Sequence, residues 1–172
     1  MRTTNYWIYK MFIESRSIYG DAFWRKVNIG LKGLTGDAVE FQLMKNDTYI
    51  YNYPVVSYCG LRSALGVVVG TGSTEPSIDD HALGSDVTSL FINLTCSYTT
   101  GADNASVKTV ITLSGTNNTG SPITITEYGI TKGIPSGSTV TTPVLFIHEL
   151  LPEPVVVKPK QQFTLPIEWV ES

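Results

Sequence analysis

Three adjacent residues whose side chains could do chemistry, Asp79, Asp80 and His81, lie at the end of a polar stretch in mid-chain. Carboxylates and imidazole are good metal ligands, so this run could bind a cation. The same residues also suit a structural role, in which Ser77 or Asp79 caps a short helical turn to Leu83 and the other polar groups face water. We favour the structural interpretation and expect no metal site.

The polar stretch begins with two closely spaced glycines, Gly70 and Gly72, after the apolar run 67–69. Such a loop can hold a phosphate when its backbone N–H groups lie at the start of a helix. Here Glu75 occupies the position of a third glycine and Pro76 follows, so no helix is expected and the nearby acids would repel an anion. We therefore expect neither a nucleotide nor another cofactor.

Hydrolytic catalysis would need a histidine beside a nucleophile, and the chain has only two histidines, His81 and His148. Neither lies in the sequence context of a nucleophile elbow, and the strand-like run around His148 could place it on either face. A glycosidase would need two carboxylates flanking a sugar, and the candidate glutamates, among them Glu127 and Glu149, form no recognisable pair. We expect that the chain is not an enzyme.

The composition limits the class of partner. Of 172 residues only 16% are charged and the net charge is −3, so no basic face is available for nucleic acid. No apolar run is long enough to span a membrane, and no secretion signal opens the chain. Cys59 and Cys96 lack the spacing of a zinc site, and we expect two free thiols in a protein assembled in a cytoplasm.

Alternating apolar and polar residues predict strands along most of the chain. The alternation is clear at 89–99, where Leu90, Ile92 and Cys96 would share a face, and again at 107–113. The turn signal in 117–120 predicts a hairpin to the next strand, and the prolines within 151–154 predict a corner that splits a later one. Frequent turns without long helices predict a mainly β fold, an antiparallel β-sandwich or jelly-roll with a short N-terminal helical or extended docking segment.

We expect one compact domain with two parts. Residues 1–62 would supply the docking segment and the first strands, and residues 63–172 the β-sandwich core. Further strands are predicted at 23–31, 38–44, 49–56 and 65–69. The expected core residues are Val67, Val69, Leu90, Ile92, Leu94, Val110 or Ile111, Ile125, Phe146 and Phe163.

The chain opens with a segment too apolar for one amphipathic face to bury, which indicates contact with another chain. A short helix capped by Thr4 or Asn5 is expected here. Obligate interfaces are the more apolar class of interface. We expect residues 1–20 to dock onto a neighbouring protein or to join copies into a homo-oligomer. The candidate interface residues are Tyr6, Trp7, Ile8, Tyr9, Met11, Phe12 and Ile13.

Two stretches together resemble motifs of small bacteriophage virion structural proteins. The first has the pattern GxGxxxPxxDDxxL and runs from Gly70 to Leu83; the second has the pattern NNTGxxxxxxEYG and runs from Asn117 to Gly129. With the Thr-rich strands between them and the later strands, the likeness covers about residues 64–170. It implies a structural loop that Leu83 anchors and whose acids bind backbone N–H groups. The loop residues so identified are Gly70, Gly72, Asp79, Asp80 and Leu83.

The resemblance predicts a non-enzymatic virion protein, either a capsid decoration or cement protein or a tail-associated one, assembled in the host bacterial cytoplasm. Its partners would be other virion proteins, with no nucleic acid, no membrane and no cofactor. The alternative is a carbohydrate-binding module of a head or tail fibre, with host glycan stacked on Tyr49, Tyr51 and Tyr53. These alternating tyrosines equally suit cross-strand packing or a subunit interface, which we favour.

Overall fold

The computed structural model describes residues 1–7, 25–43, 66–102, 107–135 and 141–171. These residues are mainly β, with antiparallel pairing throughout the described strands, as the alternation predicts. A helical turn at residues 4–7 opens the chain, and a 3-10 turn, Thr88–Leu90, precedes the fourth strand. The described strands are β1 (Arg25–Lys32), β2 (Ala38–Leu43), β3 (Gly66–Gly70), β4 (Phe91–Ala102), β5 (Val107–Asn117), β6 (Ile123–Pro135), β7 (Thr141–Val157) and β8 (Gln162–Glu171).

The described strands form three antiparallel sheets. β6 lies between β3 and β7 in one, β5 lies between β4 and β8 in the second, and β1 and β2 form a separate pair. One cluster of contacting buried side chains includes residues of both three-stranded sheets, such as Val69 and Ile125 of the first and Ile111 and Leu165 of the second. The arrangement of these sheets as a sandwich or jelly-roll stays a prediction. The predicted strand at 49–56 lies outside the described residues.

Six of the predicted core residues are confirmed as buried, but the prediction for the start of β4 is wrong. Leu90 and Ile92 are 40% and 42% exposed, whereas Phe91 between them is buried. The reason is a bulge: Asn93 has a φ of 53°, and β4 carries one extra residue against β5 between Ile92 and Thr95. One extra residue exchanges the two faces of a strand. The confirmed core residues are Val67, Val69, Ile111, Ile125, Phe146 and Phe163.

The hairpin predicted at 117–120 is also wrong, because β5 before it and β6 after it belong to different sheets. The fully buried side chain of Asn117 directs the crossing. Its Nδ2 donates to the carbonyl oxygens of Ser121 and Val157, both at 2.9 Å, and its Oδ1 accepts from the N–H of Thr119 at 2.8 Å. These bonds tie the connection to the end of β7 and leave no tight turn between paired strands.

The prolines Pro152 and Pro154 do not split the chain into two strands, since β7 is one strand of 17 residues. Ile125 pairs with Val155 and Glu127 with Leu150, so the four residues 151–154 lie opposite a single residue of β6. A bulge accommodates proline because residues in it need not donate to the ladder.

The prediction of two free thiols is wrong. Cys96 is disulfide-bonded, and its side chain lies in the shared core at 6% exposure. No described cysteine is free. The other cysteine of the chain, Cys59, lies outside the described residues. Sequence spacing alone could not reveal the bond, because the partners of a disulfide are brought together by the tertiary fold.

Replacing Asn117 with alanine should lower the free energy of unfolding by about 3 kcal/mol, because the carbonyl of Val157 and the amide of Thr119 would lose buried partners. Denaturant unfolding measures this loss. The matched control is Asn118→Ala, whose exposed side chain accepts from the Lys160 ammonium at 3.1 Å; it should cost about 0.5 kcal/mol or less. Equal losses in the two variants would contradict the role of Asn117.

Candidate functional site

The first sheet and the loop after β3 bring together one histidine and two acids. His148 lies on β7, Glu127 lies on the neighbouring strand β6, and Asp80 lies in the loop. Nε2 of His148 lies 2.8 Å from Oε2 of Glu127, and Nδ1 of His148 lies 2.6 Å from Oδ2 of Asp80. We call Asp80, His148 and Glu127 the clasp.

The clasp is closed to solvent at its centre. The side chains of His148 and Glu127 are 4% and 1% exposed, and that of Asp80 is 27% exposed. An ionised carboxylate only accepts hydrogen bonds, so we infer that both ring nitrogens of His148 donate, as in an imidazolium. A histidine held in this way has no ring nitrogen left to accept a proton from a substrate.

Glu127 also holds the loop of residues 71–87, which we call the cover. The N–H groups of Gly72 and Ser85 donate to its Oε1 at 2.8 and 3.0 Å, and that of Gly84 donates to its Oε2 at 3.2 Å. Burial alone would raise the pKa of Glu127, but these bonds and the bond from His148 outweigh burial and lower the pKa below its ordinary value of 4.5. The amides of the glycine-rich loop therefore bind a carboxylate of the chain itself.

Glycine is required where the cover and the sheet approach each other. A Cβ at Gly70 or Gly72 would collide with the carboxylate of Glu127. On β6, a Cβ at Gly129 would lie 2.5 Å from Cδ1 of Leu145 and 3.0 Å from Cγ2 of Val68. These contacts explain Gly70 and Gly72 of the first motif and Gly129 of the second by close packing, without a ligand.

Leu83 is the apolar anchor of the cover. It is 8% exposed and clusters with Val68 and Leu145, with Leu34 packed against them. Because Val68 alternates with Val67 and Val69, which belong to the main core, this small cluster lies on the opposite face of the sheet. Burial of one leucine contributes about 2 kcal/mol to stability. Leu83 therefore adds to the hydrogen bonds of the clasp in holding the cover on the sheet.

The end of the cover is bonded to the edge of β3, and the start of the cover is bonded to its last residues. The N–H of Val87 donates to the carbonyl oxygen of Val69, and the N–H of Thr71 donates to that of Ser85, both at 2.9 Å. The hydroxyl of Thr88 accepts from the N–H of Val69 at 2.9 Å. The cover thus satisfies backbone groups that an open sheet edge would expose.

The first residues of the chain lie along the edge of β7. The N–H of Thr3 donates to the carbonyl oxygen of Phe146 at 2.8 Å, and the N–H of His148 donates to that of Met1 at 2.9 Å. The N–H of Thr4 donates to the carbonyl oxygen of Ile78, in the cover, at 2.6 Å. His148 therefore binds the cover through its side chain and the N-terminal residues through its main chain.

The structure describes two of the predicted interface residues. Tyr6 is 5% exposed and packs edge-on against Phe146, with ring centroids 5.9 Å apart, so it contributes to the core of its own chain. Trp7 is 41% exposed. The other predicted interface residues lie outside the described ranges: Ile8, Tyr9, Met11, Phe12 and Ile13.

The acidic run and its histidine do not form one site. Asp80 belongs to the clasp and accepts from the N–H of Ser77 at 2.7 Å, so a turn replaces the predicted helical cap. The exposed carboxylate of Asp79 accepts weakly from the hydroxyl of Thr4 at 3.4 Å. His81 lies against Gly36, whose Cβ position is 3.1 Å from Nε2 of the ring. Among the described residues, no three His, Cys, Asp or Glu side chains are arranged so that they could hold a metal ion.

Replacing Glu127 with glutamine should lower the free energy of unfolding by about 3 kcal/mol, because the buried imidazolium loses one of its two ionised partners. Urea unfolding measures the loss. The matched control is Glu168→Gln, since Glu168 pairs with Lys108 at 2.7 Å on the surface; that change should cost about 0.5 kcal/mol or less. A loss at Glu127 as small as the control would show that the clasp stabilises nothing.

Stability should also fall in acid. The pKa of Glu127 is lower in the folded chain than in the unfolded one, so its contribution is complete above about pH 4.5 and is lost as the pH falls through the lower folded value. Unfolding measured from about pH 7 to about pH 3 should therefore show a steeper loss for the wild type than for Glu127→Gln. Parallel curves for the two proteins would contradict this role for Glu127.

Replacing Gly129 with alanine should destabilise the chain by about 2 kcal/mol, because the added methyl overpacks the small cluster beneath the cover. The matched control is Gly120→Ala, where an added Cβ meets no atom within 4 Å. The control should leave the unfolding midpoint almost unchanged. If Gly129→Ala is as stable as the control, the small cluster of Val68, Leu83 and Leu145 is not closely packed against Gly129.

No helix of the described residues is long and apolar enough to cross a membrane. No protein-family model, no curated protein and no solved structure matches the chain.

Proposed function

We propose that the chain is a non-enzymatic structural component of a bacteriophage virion, either a capsid decoration or cement protein or a tail-associated one. The observation that supports this proposal is that residues of the two motifs make structural contacts in one site. Gly72 and Asp80 of the first motif and Glu127 of the second contact one another or His148 in a single closed site. In this site the residues of both motifs stabilise the fold, which is the role expected of them in a structural component of a particle.

The clasp itself supports a non-enzymatic role. In a catalytic triad one histidine nitrogen is oriented by an acid and the other faces the nucleophile. Here the second nitrogen of His148 faces another acid, Glu127, at 2.8 Å. An open groove of about 650 Å³ does exist, but its lining does not include the clasp; it is lined by Met1, Arg2, Trp7, Pro76, Ser77 and Ile78.

This groove supports a role in assembly. Three of the large apolar side chains with the greatest exposure, Met1, Trp7 and Ile78, are 51%, 41% and 49% exposed and line it together. Grouped exposed apolar residues are typical of protein interaction sites. We propose that other virion proteins, or further copies of the chain, contact this surface.

The disulfide of Cys96 supports a location on a particle that leaves the cell, although the chain would be assembled in the host cytoplasm. Disulfides persist in oxidising surroundings, virion surfaces among them. The alternative function, glycan binding by Tyr49, Tyr51 and Tyr53, involves residues outside the described ranges. A glycan array with the purified full chain separates the alternatives, since reproducible binding that Tyr51→Ala abolishes would favour a receptor-binding module.

The virion role predicts that the chain co-sediments with phage particles from cells that express it. Trp7→Ala should reduce its occupancy on purified particles by about tenfold, because a large aromatic anchor would be removed from the interface. The matched control is Val156→Ala, since Val156 is 55% exposed and does not line the groove. Quantitative mass spectrometry of the particles gives the occupancy. A chain absent from every particle fraction would contradict the proposed function.

A further inference from the structure

The contacts of His148 join two segments that are far apart in sequence. Its ring holds the cover through Asp80, while its N–H and carbonyl group exchange hydrogen bonds with Met1 at 2.9 and 2.6 Å. Thr4 connects the two segments directly, because both its N–H and its hydroxyl donate to the carbonyl oxygen of Ile78 in the cover. The cover and residues 1–7 are therefore bound to each other as well as to β7.

Residues 1–7 also contact the rest of the fold through side chains: Tyr6 packs against Phe146 in the main core, and Asn5 exchanges two hydrogen bonds with the main chain of Lys32, both at 2.8 Å. Leu83 and its small cluster lie on the face of the first sheet that points away from the main core. The second sheet is held by the long pairings of β4 with β5 and of β5 with β8. Cooperative units of a protein can open separately when few apolar contacts tie them to the core.

We propose that the cover and residues 1–7 form one hinged unit that opens as a whole, while the two three-stranded sheets stay folded, and that protonation of the clasp promotes this opening. The hinges are the two ends of the cover on β3. Opening uncovers the small cluster and the edge of β7, whose main-chain groups Thr3 and Met1 otherwise occupy. The device is a pH-sensitive flap in which one histidine controls two segments.

The charged surroundings of His148 agree with acid as the trigger. β6 contributes Glu127 and the cover contributes Asp80, so the two acids outnumber the one imidazolium. Glu149 follows on β7 and binds the hydroxyl of Tyr128 and the ammonium of Met1. The next charged groups of the cover point elsewhere, since Asp79 faces Thr4 and His81 faces Gly36. Acid that protonates Glu127, whose pKa lies below its ordinary value of 4.5, removes an ionised partner of His148 and weakens the attachment of the cover.

Hydrogen exchange of single amides in the full chain tests the proposal. The amides of Gly72, Gly84 and Ser85 report on the cover, those of Thr3 and Thr4 report on the N-terminal residues, and those of β5 report on the core. Thr4→Val removes one hydroxyl bond and should raise exchange by about fivefold in both segments, including at the amides bound to Glu127, because a single unit shares one opening equilibrium. The amides of β5 should not change.

Two further variants make the result decisive. Asp80→Asn should raise exchange by about tenfold or more in both segments, since it removes a charge-assisted partner of His148. Ser114→Ala breaks a comparable hydroxyl contact, 3.1 Å from Thr164 on the second sheet, and should leave both segments unchanged. In the wild type, exchange of both segments relative to β5 should rise together between about pH 7 and about pH 3.5. Faster exchange of residues 1–7 alone in Thr4→Val, or acid opening of β5 together with the cover, would overturn the proposal.

Discussion

The buried negative charge of Glu127 is the constraint on which the rest of this structure depends. A carboxylate that is 1% exposed costs far more free energy than an apolar side chain unless every oxygen is compensated. Compensation comes from three backbone N–H groups and one imidazolium, and each of these sources dictates a further feature. The amides require the cover to fold back over β6, and the close approach requires glycine at Gly70 and Gly72. The imidazolium in turn requires the second acid, Asp80.

The class of fold could be predicted from the sequence because the alternation of apolar and polar residues in a strand is a local property. Val67 and Val69, or Ile111 and Leu113, lie on one face whatever the topology, and their burial follows from the period of two. The prediction failed where a single residue exchanges the two faces of a strand or directs the chain into another sheet. Asn93 inserts a bulge and Asn117 buries its amide between two sheets, and neither event changes the apolar pattern around it.

The clasp was hidden from sequence reasoning because its members are 21 and 68 positions apart and meet only after three elements have packed. One signal was nevertheless present. The run from Val144 to His148 does not alternate, and a strand that is apolar on both faces must be covered on both. A histidine at the end of such a run would be buried, and a buried histidine needs partners. The partners themselves could not be identified without the path of the cover.

The site also shows that one sequence pattern can serve either a catalytic or a structural purpose. A glycine-rich loop after a strand and a histidine near acids are both typical of active sites. Here both bind Glu127, the loop through its amides and the histidine through its ring. The amides that could have held a phosphate hold Glu127, and the ring that could have served as a base donates both of its protons. The exposed apolar groove around Trp7 lies apart from this closed site, since none of the clasp residues lines it.

The most direct test of this account is the protonation state of the His148 ring. In protein labelled with nitrogen-15, a proton–nitrogen correlation spectrum recorded near pH 6 reports separately on Nδ1 and Nε2, and His81→Gln removes the signals of the other ring. The account predicts that both nitrogens of His148 carry protons that exchange slowly with water, because each donates to a carboxylate within a covered site. A neutral ring with one bare nitrogen would contradict the clasp, and with it the explanation of the cover, of its glycines and of the closed site.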